Sequence, residues 1–170
     1  VLPKRSTLLL GGATGIAKTF FLIELARALS TGTRPFGCPH MQVSQPCRVL
    51  FIDPELGEEG LQPRVKRSFS RHQPSVYRDN VYYVSKDVNF RLDTEQGHEE
   101  ILEALELTKP NVLILDSIGF LHSWDEQSNT DIGQLFRQFE IIKNIGIEQG
   151  LSIVFSHHFR KPPVGKDRKD

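Results

Sequence analysis

Short aliphatic runs alternate along this chain with stretches whose apolar residues recur every three or four positions. The runs are "STLLLGG" (6–12), "RVLFID" (48–53), "NVYYVS" (80–85), "NVLILDS" (111–117) and "LSIVFSHH" (151–158). Each is the length of a strand and lacks the alternation of a half-exposed one, so five buried strands are expected, "STLLLGG" among them. Helical spacing appears in "KTFFLIELARALS" (18–30), where Phe21, Leu22, Leu25, Ala28 and Leu29 form a stripe and Gly32 lies just beyond. "GEEGLQPRVKRSF" (57–69) reads as a helix with Pro63 near its first turn, and "EEILEALELT" (99–108) as another. A long helix begins at Asp131, with Ile132, Leu135, Phe136, Phe139 and Ile142 on one face. Strands alternating with helices predict an α/β fold: a mainly parallel sheet covered by helices on both faces. Residues 31–47, rich in Gly, Pro and polar side chains, form a long excursion.

The chain of 170 residues suits one domain, and 38% hydrophobic with 25% charged residues is a soluble, globular balance. Lys+Arg and Asp+Glu are both 21, so binding of nucleic acid by bulk charge is excluded and a local patch would be needed. No apolar run approaches the roughly 20 residues that cross a bilayer. Cys38, His40 and Cys47 share one loop at loose spacing; they read as reduced thiols of a cytoplasmic protein beside a histidine, not as a zinc site. His40, His72 and His98 read as surface residues. The final stretch, "FRKPPVGKDRKD", follows the fifth strand directly, and the expectation is a fragment of a longer protein, truncated at its C-terminus.

The chemistry begins at "GGATGIAKT" (11–19). From Gly12 to Thr19 it follows the phosphate-loop pattern G-x-x-x-x-G-K-[ST], except that Ala17 replaces the second glycine. A strand, a glycine-rich turn and a helix opening on Lys-Thr is the setting that phosphate binding requires. Backbone N–H groups from Ala13 through Thr14, Gly15, Ile16 and Ala17 to Thr19 would wrap a phosphate at the positive end of the helix. Lys18 would reach the β- and γ-phosphates of ATP, and Thr19 would offer a hydroxyl to Mg²⁺. The methyl of Ala17 would cost about 1 kcal/mol, too little to prevent binding.

Three further signals converge on the same reaction. Asp116 ends a buried aliphatic strand, the position from which an acid holds Mg²⁺ through water. Glu55 lies just past the "RVLFID" strand, taken to neighbour the phosphate loop, where it can orient and deprotonate water; Asp53, still within the strand end, reads as packing there or supporting it. His157 and His158, at the mouth of the fifth strand, point to opposite sides, and one can contact the γ-phosphate. His122 and Trp124 follow the fourth strand, where an aromatic would stack on a base or pack between subunits.

With "LSTGTRPFG", "VLFIDPELGEEGLQPRV", "VLILDSIGFL" and "SIVFSHHFRKP" in this order, nearly the whole chain resembles a RecA-like P-loop ATPase of the RepA hexameric replicative helicase type (AAA_25-like). The Ala-Lys-Thr variant of the loop also resembles those of MCM helicases and MoxR-type ATPases. The resemblance implies a single RecA-like ATPase domain over 1–170, with ATP and Mg²⁺ as cofactors and single-stranded DNA as partner. It implies a homo-oligomeric ring with ATP at subunit interfaces and an arginine finger beyond this chain's end. Lys18 and Thr19 match the phosphate and magnesium residues, Asp116 the second acid and Glu55 the catalytic glutamate. Arg64 matches an active-site arginine, His157 and His158 the γ-phosphate sensing pair, and Lys161 the lysine beyond them. The loops at about 118–131 and 159–170, the latter with Arg160, Lys161, Lys166, Arg168 and Lys169, would face a DNA channel. A filament-forming recombination ATPase, and a nucleotide-dependent binding module with little turnover, share the same residues and stay open as alternatives.

Overall fold

The computed structural model describes residues 2–77, 79–85, 90–125 and 128–158. Its order is β1 (Thr7–Gly12), α1 (Lys18–Thr31), β2 (Val49–Ile52), α2 (Glu58–Phe69), α3 (Pro74–Tyr77), β3 (Val81–Val84), α4 (Glu95–Thr108), β4 (Val112–Leu115), α5 (Asn129–Ile145) and β5 (Ser152–His158). The strands form one sheet in the order β1-β5-β4-β2-β3, and every neighbouring pair is parallel. Helices occur on both faces, as the unbroken aliphatic strands require. Val49, Phe51, Val112, Ile114 and Val154 pack with α1 and Leu61 of α2. Leu50, Ile52, Leu113, Leu115, Ile153 and Phe155 pack with α4 and α5.

Local sequence explains the helix limits. Gly32 takes a left-handed φ of 70° and its N–H caps Ala28, which stops α1. Thr94 accepts from the Gly97 N–H, so α4 begins four residues before the apolar pattern that announced it. Pro63 sits inside α2, beyond the first turn where it was expected. Two apolar assignments also change. β1 is an edge strand, not a fully buried one: Leu8 and Leu9 are 44% and 51% exposed, because no described strand pairs with its outer side. Phe136 stands half-exposed on the rim of the α5 stripe and meets Phe139 edge-on.

The excursion after α1 is tied back at several points. Phe36 stacks on Phe21 with ring centroids 4.5 Å apart, its N–H reaches Glu24 at 3.3 Å, and the Cys47 N–H bonds Leu29 O. Burial pushes the Cys47 thiol up to about 11, which favours its protonated form. His72 is not the ordinary surface residue expected. It lies 3.2 Å from the buried Arg27 guanidinium, which also forms a bidentate pair with Glu24. No helix among the described residues is long and apolar enough to cross a membrane.

Candidate nucleotide site

Parallel strands all present their carboxyl ends on one side of a sheet, and ligands of such folds collect there. Here β1 ends in Gly12, β5 in His158, β4 leads into Asp116 and β2 into Asp53. Register brings them together: Gly12 lies opposite His158, and Ile52 opposite Leu115. A cleft of about 250 Å³ opens among them, lined by Thr14, Lys18, Glu55, Arg64, Asp116 and His158 with Gly15, Ala17, Thr19 and Phe20. The expectation that β2 neighbours the phosphate-loop strand needs correction, since β5 and β4 stand between them. Glu55 reaches the cleft from its turn, not from strand adjacency.

The loop from Gly12 to Thr19 wraps Lys18, whose side chain is buried. Its ammonium donates to Gly12 O at 3.0 Å and Ala13 O at 2.9 Å, and lies 3.1 Å from His158 Nδ1. An ammonium can only donate, so Nδ1 accepts and the proton of a neutral His158 sits on Nε2. That nitrogen faces Glu55 Oε2 at 3.9 Å, while Thr14 Oγ1 lies 3.5 Å from Nδ1. His158 thus bridges the lysine and the glutamate. Strand alternation sends His157 to the other face, with Phe155, and it does not line the cleft. The predicted pair therefore divides into one residue at the site and one away from it.

Gly15 and Ala17 both adopt left-handed backbone, with φ of 85° and 64°. For glycine this is free, whereas a side chain there costs about 1–2 kcal/mol. Ile16 between them is half-exposed, and its side chain lies back against Gly12, which has room for it because it carries no Cβ. Restoring glycine with Ala17→Gly is expected to raise unfolding stability by about 1 kcal/mol, less the extra entropy glycine brings to the unfolded chain. Urea titration measures it, and a loss of stability would show that the methyl makes compensating contacts.

The acids have distinct surroundings. Asp116 is buried; Ser156 Oγ donates to its Oδ1, and its Oδ2 is buried without a partner among the described residues. A carboxylate left so is costly unless a cation arrives. An unpartnered oxygen on a residue that lines the cleft together with Thr19 fits Mg²⁺, a hard ion that takes oxygen ligands and keeps waters. Asp53 Oδ1 accepts the N–H groups of Glu55 at 3.0 Å and Leu56 at 2.8 Å. It therefore builds the turn that holds Glu55. Burial, with the nearby charges of Asp116 and Glu55, pushes Asp53 up to about 6 against those two donors.

The raised value makes the native state hold its proton more tightly than the unfolded chain. Asp53 therefore contributes stability that is full below about pH 4 and lost as pH rises through about 6. Asp53→Asn keeps an oxygen for both N–H groups without the charge. The variant is expected to match wild type near pH 4 and exceed it near pH 7 in Mg²⁺-free thermal melts. A constant difference at every pH would refute the assignment.

Beyond the cleft, the loop after β4 is drawn inward. Asp93 accepts from Ser123 N at 2.6 Å and Ser123 Oγ at 2.5 Å, and pairs with Arg91 at 2.7 Å. The Arg91 guanidinium, with the Ser123 donors, holds the Asp93 carboxyl well below the usual range. His122 is buried and stacks with Trp124 at 5.3 Å, whose ring packs on the core. Arg160, Lys161 and the basic residues after them lie outside the described residues. Two contributors escaped the sequence reading: Ser156, whose role depends on β4–β5 register, and Phe20, which lies off the apolar stripe of its helix.

This geometry agrees with what the chain is similar to. Residues 1–164 match the AAA_25 family, described as an AAA domain. The chain belongs to that family. An AAA_25 chain is a RecA-like P-loop ATPase domain, and the family as a class handles ATP with Mg²⁺. The chain is also similar to the DNA repair protein RadA of Synechocystis sp., with 27% identity over 117 residues, covering 68% of this chain and 21% of that protein. It thus spans about a fifth of that relative's length. Among solved structures, a KaiC-like protein of the hyperthermophilic archaeon Pyrococcus horikoshii superposes with a TM-score of 0.54 at 16% identity. The match covers 93% of this chain and 63% of that one, and shows the shared fold of this AAA_25 domain.

Proposed function

We infer that this AAA_25 domain is the motor core of a RepA-type DNA helicase or replication ATPase, hydrolysing Mg²⁺-bound ATP on single-stranded DNA within a homo-oligomeric ring. The observation that carries the hydrolytic part is the meeting of Lys18, Glu55, His158 and Asp116, with its one unpartnered oxygen, in one cleft. The backbone from Gly12 to Thr19 cradles the phosphates, and Lys18 turns from the loop carbonyls to the β- and γ-oxygens. Glu55 orients and deprotonates the attacking water. His158, released by Lys18, contacts the γ-phosphate and carries its loss to the residues after β5. Thr19 and Asp116 would hold Mg²⁺, which neutralises charge developing on the phosphate oxygens.

The DNA part rests on the family resemblance and on the basic residues that follow β5. Its test is ATPase rate with and without single-stranded DNA. Stimulation by DNA is expected; vigorous turnover indifferent to DNA would remove the motor reading and leave an ATPase of another purpose. The similarity to a DNA repair protein favours a second reading, a repair ATPase that forms filaments. Electron microscopy with ATP and single-stranded DNA separates the two, by rings or by filaments.

A further inference from the structure

The roles assigned above leave one pair at the cleft unused. Arg64, on α2, lays its guanidinium over the ring of Phe20, on α1, with Cζ 5.3 Å from the ring centroid. Both residues line the same cleft as Lys18, Thr19, Glu55 and Asp116. Phe20 directly follows Thr19, so the turn that presents the lysine and the hydroxyl also fixes this ring.

The two cations of the cleft are held in different ways. Lys18 is surrounded by two carbonyls and an imidazole. Arg64 meets no described hydrogen-bond acceptor or carboxylate, and the phenyl ring is its recorded partner among the described residues. A free arginine samples many rotamers, and ordering it on a ligand costs entropy. A ring face attracts the planar guanidinium, selects one orientation and leaves the in-plane N–H donors unengaged. Those donors suit the oxygens of a polyphosphate. Leu61 packs α2 onto the α1 face of the core, and Ser68 contacts Glu24 at 3.4 Å, so α2 is anchored on both sides of Arg64.

We propose that Phe20 is a positioning residue for nucleotide binding: its ring holds the Arg64 guanidinium at the cleft, ready to engage a nucleoside triphosphate. The proposal rests on the ATP-site reading above and adds a residue to it. Phe20 acts through Arg64 and does not itself touch the reacting atoms. A leucine would cover the same surface without the ring's negative face, whereas tyrosine or tryptophan would keep it.

The experiment is a double-mutant cycle on the full chain, read by titration with ATP and Mg²⁺ and by kcat/KM. Phe20→Leu is expected to weaken ATP affinity about two- to fivefold, the effect of an exposed cation–π contact, with Phe20→Tyr restoring it. In an Arg64→Ala background Phe20→Leu should add nothing. The thermal midpoint should stay unchanged, since Phe20 is 50% exposed. A silent Phe20→Leu, or a loss that persists without Arg64, overturns the positioning role. Wild-type protein that binds no ATP would bring down the ATP-site reading and this one together. ATP binding intact in wild type with Phe20→Leu silent removes this one alone.

Discussion

Lys18→Ala is expected to abolish ATP turnover, with a loss of at least about 10²-fold, the scale for removing a preorganised donor from a phosphoryl or oxyanion site. The physical reason is the burial of this ammonium. It sits under the loop with three partners, two loop carbonyls and His158 of the cleft, in an environment where its charge is far less screened than in water. Among the described residues the other cation lining the cleft is Arg64, which comes from α2 and not from the loop. The same variant has a second consequence. Without the lysine, His158 Nδ1 loses the donor 3.1 Å away that set its tautomer, so the proton is no longer fixed on the side of Glu55. ATP binding by equilibrium titration and turnover by phosphate release check the prediction. Turnover within a few fold of wild type would mean that the loop does not hold the triphosphate.

Glu55→Gln should behave differently. The amide keeps the size and the turn, because Asp53 grips the Glu55 backbone N–H and not its side chain. ATP binding is therefore expected to survive, while hydrolysis falls by about 10²–10⁴-fold, the usual contribution of a positioned general base. The contrast between the variants is the informative part: one loses binding and turnover, the other turnover alone. Hydrolysis at the wild-type rate in Glu55→Gln would remove the base from Glu55, and Asp53, buried and engaged with two N–H groups, is poorly placed to replace it.

Much of this site was legible because its signals are local. A strand, a glycine turn and Lys-Thr on a helix specify one backbone path, and Gly12 through Thr19 follow it. Asp116 was legible for the same reason, as an acid closing an aliphatic strand. His157 and His158 were legible as a pair but not as individuals. Which one faces the phosphate loop depends on the pleat of β5 against β1, a matter of register. The supposed adjacency of β2 and β1 failed because strand order is set by crossovers, which leave no mark in the strands themselves. Leu8 and Leu9 read as buried since an aliphatic run looks alike at the centre and at the edge of a sheet. His72 read as surface because nothing near it in sequence announces Arg27.

The sequence alone determined the alternation of strands and helices, the phosphate loop and the acids that follow two strands, because each is written in neighbouring residues and short periods. Tertiary structure decided what those residues face. It put Ser156 on one oxygen of Asp116 and left the other open, set His158 between Lys18 and Glu55, and laid Arg64 on Phe20. These contacts join residues far apart in the chain, so they exist only once hydrophobic burial has fixed the sheet order and register.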